Sequence, residues 1–302
     1  MPELPEVETV RQGLEPFVTG ATVRSVHLFR DSAIRLTPGG LGEFSARLVG
    51  ARVTGAARRG KFLWMPLDEG TALSAHLGMS GQFRVHETTV EAAPEPHPHC
   101  RVRLGMIGDD GRQFTLDFLD QRTFGYLHVE DLVPTPDGLP GGSGSVLAEV
   151  PLSVAHIGRD VLDPAVTASD AIRLWRRGTR GIKQVLLDQM RLSGVGNIYA
   201  DEALWAARVH PERPASSLPV ARVRELFEAT RAVMAEALAQ GGTSFDKLYV
   251  NVNGESGYFS RFLRSYSRAG EPCYRCGALI VREPFMNRSS YFCPRCQRRP
   301  RR

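Results

Sequence analysis

Residues 273–296 read CYRCGALIVREPFMNRSSYFCPRC, and they decide how this end of the chain folds. Cys273 and Cys276 form one knuckle and Cys293 and Cys296 a second, with sixteen residues between them. A two-residue gap lets both thiolates of a knuckle reach the same ion, and two knuckles complete the tetrahedral four-thiolate shell of structural zinc. Ala278–Val281 and Ser290–Phe292 read as the strands of a hairpin between the knuckles. So small a unit buries little core, and the metal is expected to supply its folding energy. A closed shell leaves no open coordination position, so this zinc is structural and not catalytic. Two matched knuckles in a chain without a secretory pattern favour metal over a redox pair or disulfides. Arg288 falls near the hairpin tip and is the better phosphate candidate among the local arginines; Arg298, Arg299, Arg301 and Arg302 also fit a solvated tail.

Upstream of this module the pattern is helical. Thr167 and Asp170 form a capping box ahead of Ile172 and Trp175. One helix is expected over 181–192, a glycine-bearing turn at Ser193–Gly196, and another helix over 197–207. A long amphipathic helix over 218–240 carries Val223, Phe227, Thr230, Val233 and Ala237 on one stripe and stops at Gly241-Gly242. Residues 134–145, PTPDGLPGGSGS, keep no apolar period and read as a linker. Before them, about 21–130, short alternating runs such as Ala21–Leu28, Lys61–Leu67 and Gln113–Phe118 read as strands, with a hairpin turn at Asp109–Gly111. The first seventeen residues read as a helix with Pro2 and Pro5 at its start and glutamates in its first turns. The fold class is α+β and multidomain: an N-terminal helix with a two-sheet sandwich or flattened barrel, a helical domain, and a cysteine hairpin. The boundaries are set at 1–133, a linker at 134–150, 151–265, and 266–302.

The 302 residues carry 38 basic and 33 acidic side chains, a net +5 that hints at an anionic partner. Only Lys61, Lys183 and Lys247 are lysines, so the positive charge is almost all guanidinium, which suits phosphate oxygens but also fits a compositional bias. No apolar run approaches a membrane span, and the expected setting is cytoplasmic. Cys100 stands apart from the knuckles and reads as a small buried hydrophobe.

The start, MPELPEVETVR, has its own chemistry. Removal of Met1 would leave Pro2 as a free secondary amine, with a pKa near ~8 against ~10.4 for lysine. Such an amine attacking a sugar C1′ gives an iminium ion, an electron sink that needs no proton. Glu3 beside it could serve as general acid or proton shuttle. By themselves, a proline and acids at a helix start are ordinary.

Several blocks in order change that balance: PELPEVE, RRGKF at 58–62, HLGMSG at 76–81, DQRTFG at 120–125, GVGNIYADEAL at 194–204, GESGYF at 254–259, and the cysteine module. Together they resemble the formamidopyrimidine-DNA glycosylases essentially end to end. The resemblance implies a base-excision-repair enzyme, glycosylase and AP lyase in one, that removes 8-oxoguanine and formamidopyrimidines from double-stranded DNA and acts on abasic sites. Pro2 would be the Schiff-base nucleophile, Glu3 the acid/base, and Glu6 its hydrogen-bonding support. Lys61, His76, Arg288 and Asn197 would engage phosphate, with Lys61 and Arg288 at the reacting centre. Met79 and Phe124 would fill the gap left by an everted base while Arg122 meets the orphaned cytosine. Residues 181–207 would form a helix–two-turn–helix element, and 243–259 a loop closing over the base. Beyond one zinc ion, no redox or nucleotide cofactor is implied; the protein would act as a monomer, away from membranes. Gln121 stands where the family often has proline, and the stretches around 87–99 and 138–150 run longer than the family minimum. An endonuclease VIII-like enzyme for oxidised pyrimidines and a non-catalytic damage binder are the alternatives.

Overall fold

The computed structural model describes residues 2–243 and 262–300. They fall into two compact units, one within 2–156 and one within 157–243 and 262–300.

The first unit opens with α1 (Leu4–Val18), β1 (Thr22–Leu28), a 3-10 turn (Asp31–Ile34) and α2 (Gly40–Leu48). It continues through β2 (Ala57–Arg59), β3 (Phe62–Pro66), β4 (Thr71–His76), β5 (Gly81–His86), β6 (Cys100–Ile107), β7 (Gln113–Asp120), β8 (Tyr126–Pro134) and β9 (Glu149–Pro151). The strands make two sheets, ordered β1-β6-β7-β5 and β2-β3-β4-β8-β9, with antiparallel pairing throughout. One core joins them: Leu63 and Leu73 from one sheet meet Phe83, Leu104 and Phe118 from the other, under Val7, Val10 and Leu14 of α1. This is the expected sandwich rather than a barrel. Each core strand sends alternate side chains into that layer, as a two-sheet packing requires.

Residues 134–150, read as a linker, are instead bonded into this unit. Leu132–Pro134 pairs with Glu149–Pro151, Arg58 and Ser143 exchange backbone bonds at 2.9 Å, and Arg59 Nε donates to Gly141 O at 2.6 Å. The glycines serve close approach and not flexibility: a Cβ at Gly142 would lie 2.1 Å from Arg58 O. Composition alone does not separate these two uses of glycine. Cys100 is buried in β6, where burial, then the neighbouring Asp117, pushes its thiol up to about 12; the side chain is an inert hydrophobe.

The second unit contains α3 (Ala168–Trp175), α4 (Ile182–Leu186), α5 (Asn197–Ala206), α6 (Val220–Ala239), and the hairpin β10 (Val281–Phe285) and β11 (Arg288–Phe292). The Thr167–Asp170 box forms, with Thr167 N donating to Asp170 Oδ2 at 3.0 Å and Asp170 N to Thr167 Oγ1 at 3.3 Å. The buried stripe of α6 runs Val223, Leu226, Phe227, Thr230, Met234, Ala237, so Met234 takes the place expected of Val233. The helix expected over 181–192 stops at Leu186. Gln189 accounts for this: Nε2 donates to Leu187 O and Val195 O at 2.8 and 2.9 Å, and Oε1 accepts from Gly194 N at 3.0 Å. One amide side chain thus satisfies turn backbone that a helix would otherwise have paired. The result is two turns between α4 and α5. Among the described residues no helix is long and apolar enough to cross a membrane.

Candidate functional site

In the first unit the residues that lead into α1 are buried. Pro2, Glu3 and Glu6 are all enclosed, the two glutamates at 3% and 4% exposure. Glu3 is the N-cap of α1, and its backbone N–H donates to Glu6 Oε2 at 2.8 Å, one half of a capping box in which the Glu3 side chain accepts from the Glu6 backbone. Pro2 precedes the cap, and Pro5 takes the second helical position. One turn on, Glu8 anchors α1. Its Oε2 accepts from Arg58 Nε at 2.7 Å, and its Oε1 accepts from Arg11 Nε at 2.9 Å and Ser143 Oγ at 3.2 Å. All three charged partners are nearly fully buried. This network fixes α1 against the β2–β3 turn in which Lys61 stands.

Lys61 and His76 sit at one end of two paired strands. Leu63 pairs with Ala75, which puts Phe62 opposite His76 and Lys61 one residue beyond. The His76 ring stacks on Tyr126 with centroids 5.2 Å apart and planes 7° apart, and Phe62 meets it edge-on at 5.9 Å. Gly78 N donates to His76 Nδ1 at 3.1 Å, which leaves the ring proton of the neutral form on Nε2. Burial, then the charge of Arg35, holds the imidazole below its usual range, against a smaller opposing pull from Asp120. A neutral imidazole that carries its proton on Nε2 is a donor that suits a phosphate oxygen.

The two loops at 76–81 and 120–125 are knitted together. Ser80 Oγ donates to Asp120 Oδ1 at 2.5 Å and accepts from Arg122 N at 2.9 Å; Asp120 Oδ2 accepts from Gly125 N at 2.6 Å. Gly78, at φ +58°, must be glycine, because a Cβ would lie 2.7 Å from Gly125 N. On this platform Met79 is 41% and Phe124 53% exposed, and Arg122 lies 5.6 Å over the Phe124 ring. Core packing, the plain reading of the two apolar residues, is thereby excluded.

In the second unit the four cysteine sulfurs lie within 4.8 Å of one another, a spacing that fits one tetrahedral ion. Trp205, Ile280, Cys273 and Cys293 make a miniature core around them, and Trp205 Nε1 donates to Cys273 Sγ at 3.4 Å. Arg275 stacks 3.7 Å over Trp205 and caps the end of α5 through Trp205 O and Ala206 O. Arg288 pairs with Phe285 beside the hairpin turn and is exposed, as expected. Asn197 is the first residue of α5, with Gly196 as cap, and its Nδ2 donates to Ser289 O at 3.0 Å.

Sequence reading missed the groups that set this hairpin in place. Lys183 and Asp201 form a fully buried ion pair at 2.7 Å. Lys183 Nζ donates to Ser289 O and Ser290 Oγ, while Asp201 accepts from Ser290 Oγ at 3.2 Å and Tyr291 N at 3.0 Å. Its neighbour Glu202 accepts the backbone amides of Arg264, Ser265 and Tyr266 at 2.7–2.8 Å. Burial pushes Asp201 up to about 6 and Glu202 upward as well, with those bonds pulling the other way. The available signal was an acid pair inside YADEAL, in a helix otherwise apolar after Asn197. The loop expected to close over the base, 243–259, lies outside the described residues from 244 onward.

A β-sandwich with a buried Pro-Glu start and an exposed Met-Arg-Phe set, in a chain that also holds helix, two turns, helix and a four-thiolate hairpin, defines the zinc-finger, helix–two-turn–helix class. Within that class the chain belongs to the formamidopyrimidine-DNA glycosylase family. Residues 1–127 match the formamidopyrimidine-DNA glycosylase N-terminal domain, 157–248 its H2TH domain, and 270–299 the zinc finger found in FPG and IleRS. The formamidopyrimidine-DNA glycosylase of a Nocardioides species is 54% identical over 100% of this chain and 96% of its own length. That of Leifsonia xyli is 52% identical over 99% of this chain and all of its own. Among solved structures, the MutM (FPG) protein of Thermus thermophilus is 37% identical with a TM-score of 0.78, covering 98% of each chain. Lactococcus lactis Fpg, solved with DNA containing an abasic site, is 28% identical with a TM-score of 0.79, covering 99% of this chain and 100% of its own.

Proposed function

We propose that this protein is a bifunctional DNA glycosylase and AP lyase of base excision repair, acting on duplexes that contain oxidised purines or abasic sites. One observation carries the assignment of the reacting group. Pro2 stands buried just outside the α1 cap, next to the buried capping pair Glu3 and Glu6. With Met1 removed, the Pro2 nitrogen lone pair attacks C1′ and the bond from C1′ to the base breaks, the base leaving with a proton. Glu3 protonates the sugar ring oxygen. The iminium then accepts the electrons released when a C2′ proton is lost and the 3′ phosphate departs; a second elimination releases the 5′ phosphate, and water frees Pro2. Lys61, His76, Asn197 and Arg288 hold phosphates, Lys61 and Arg288 nearest the reacting sugar. Met79 and Phe124 occupy the space of the everted base and Arg122 donates to the unpaired cytosine. The zinc ion holds the hairpin fold that carries Arg288. The protein works as a monomer on DNA in the cytoplasm.

Borohydride trapping on an 8-oxoguanine duplex tests this. A covalent adduct is expected with the natural chain, released base is expected to exceed that from a thymine glycol duplex, and Glu3→Gln should slow release by about 10²–10⁴-fold, the range of a general acid or base. Pro2→Gly should cut release heavily while duplex affinity stays within a few-fold. No adduct at saturating duplex makes the protein a binder, and faster thymine glycol release makes it a pyrimidine enzyme. Intact Met1 on active protein, read by mass spectrometry, removes Pro2 from the mechanism.

A further inference from the structure

The turn that carries Arg122 and Phe124 holds an unfavourable backbone. Thr123 sits at φ 57°, a left-handed conformation that β-branched residues rarely adopt. Arg122 and Phe124 on either side are exposed, so apolar packing does not hold the turn. Polar bonds to its backbone do. Ser80 and Asp120 take the amides of Arg122 and Gly125. The carbonyls are taken from a distant part of the chain, by Arg35 at the end of the 3-10 turn Asp31–Ile34. Arg35 Nη2 donates to Phe124 O at 2.9 Å and Nη1 to Gly125 O at 2.8 Å, with Ser32 O also accepting from Nη1 at 2.9 Å. The guanidinium carbon lies 4.6 Å from the centre of the Tyr126 ring, which in turn stacks on His76.

We propose that Arg35 is a positioning residue for lesion recognition: it locks the 121–125 turn in the shape that presents Arg122 and Phe124, and through Tyr126 it ties that turn to His76. The inference deepens the function proposed above and rests on the roles given there to Arg122 and Phe124. A planar fork with two donor nitrogens reaches two successive carbonyls at once; a lysine ammonium at the same place keeps the charge but not the fork. Arg35 acts without touching base or deoxyribose.

The test uses the full-length, zinc-loaded protein with Arg35→Lys and Arg35→Ala. Hydrogen exchange of peptides covering 119–126, measured without DNA, should speed up about tenfold or more in both variants, since bonds from a charged donor are lost. Exchange unchanged in both overturns the proposal. Binding is then measured on duplexes bearing a tetrahydrofuran abasic analogue opposite cytosine or adenine, and on undamaged duplex. Both variants should lose about tenfold on the damaged duplex with cytosine, less on undamaged DNA, and so narrow the preference for cytosine, as Arg122→Ala should. The loss should lie mainly in half-saturating duplex concentration rather than in the single-turnover rate at saturation. Equal losses on damaged and undamaged duplex with unchanged exchange make Arg35 a phosphate contact and overturn the idea. If Arg122→Ala leaves the cytosine preference intact, the reading of Arg122 fails, and the exchange measurement still decides for Arg35.

Discussion

Asp201→Asn offers a sharp test of how the zinc hairpin is held. The change conserves shape but removes the negative charge 2.7 Å from Lys183 Nζ, where both side chains are essentially unexposed. Two effects oppose each other. Asp201 is itself uncomfortable, since burial pushes it up to about 6. Lys183 would be left as a buried ammonium without the Asp201 charge, beside the neutral Ser289 O, Ser290 Oγ and the Phe285 ring at 4.6 Å. The second effect dominates, because breaking a buried pair from one side costs about 3–5 kcal/mol, which lowers the melting midpoint of the unit by roughly 6–20 °C. Scanning calorimetry of the zinc-loaded chain measures it. The pH dependence has a definite sign. The folded value lies above the unfolded 3.8, so the contribution of Asp201 is full below 3.8 and lost as pH rises through about 6. The gap between the natural protein and Asp201→Asn should therefore change across that window. A variant within about 0.5 kcal/mol of the natural protein, the scatter of ordinary surface changes, would refute the buried-ammonium argument.

Two further outcomes follow from the geometry. Chelation should abolish specific duplex binding, because the core around the cysteines is small, Trp205 and Ile280 with Ala206, Ala278 and Tyr291 at its edge, and the metal supplies the rest; chelated protein that still binds tightly would contradict this. His76 should make duplex affinity rise as pH falls from 7 to 5.5, since a phosphate favours the imidazolium that burial disfavours. Stability should move the opposite way: the folded value lies below 6.5, so the contribution is present above 6.5 and lost as pH falls toward the folded value. Anisotropy titrations at constant ionic strength should give His76→Asn a flatter slope, and identical slopes would discard His76 as a phosphate contact.

The parts of the fold legible in the sequence were those that local chemistry dictates. Two cysteine knuckles, a capping box at Thr167 and Asp170, and alternation in Gln113–Phe118 each require one arrangement, and each appears. The stretch at 134–150 misled because close approach and flexibility both select glycine. The helix expected past Leu186 misled because Gln189 competes for the backbone through its side chain, which periodicity does not register. The placements of Met79, Arg122 and Phe124 were expected from family blocks rather than from residue chemistry, which by itself put both apolar residues in the core. Arg35, Lys183, Asp201 and Glu202 escaped altogether. Each acts across a long sequence separation on backbone atoms, and a backbone donor or acceptor leaves no trace in the residue that carries it.

Those missed residues share a physical logic. The 121–125 turn carries Arg122 and Phe124 exposed, and Arg288 is exposed beside the hairpin turn, so apolar packing does not orient them. In the first unit Asp120 and Arg35 bond the amides and carbonyls of such a turn; in the second Asp201, Glu202 and Lys183 do so around Ser289–Tyr291 and Arg264–Tyr266. Charge-assisted bonds fix direction as well as distance, which dispersion does not. The upward shifts of Asp201 and Glu202 reveal the desolvation these groups endure, so their value lies in placement more than in stability. Lys183→Met combined with Asp201→Leu separates the two. Apolar side chains should restore most of the stability lost by Asp201→Asn, while the hairpin, no longer held at Ser289, Ser290 and Tyr291, still binds duplex poorly. Recovery of binding along with stability would show that packing alone suffices to place Arg288.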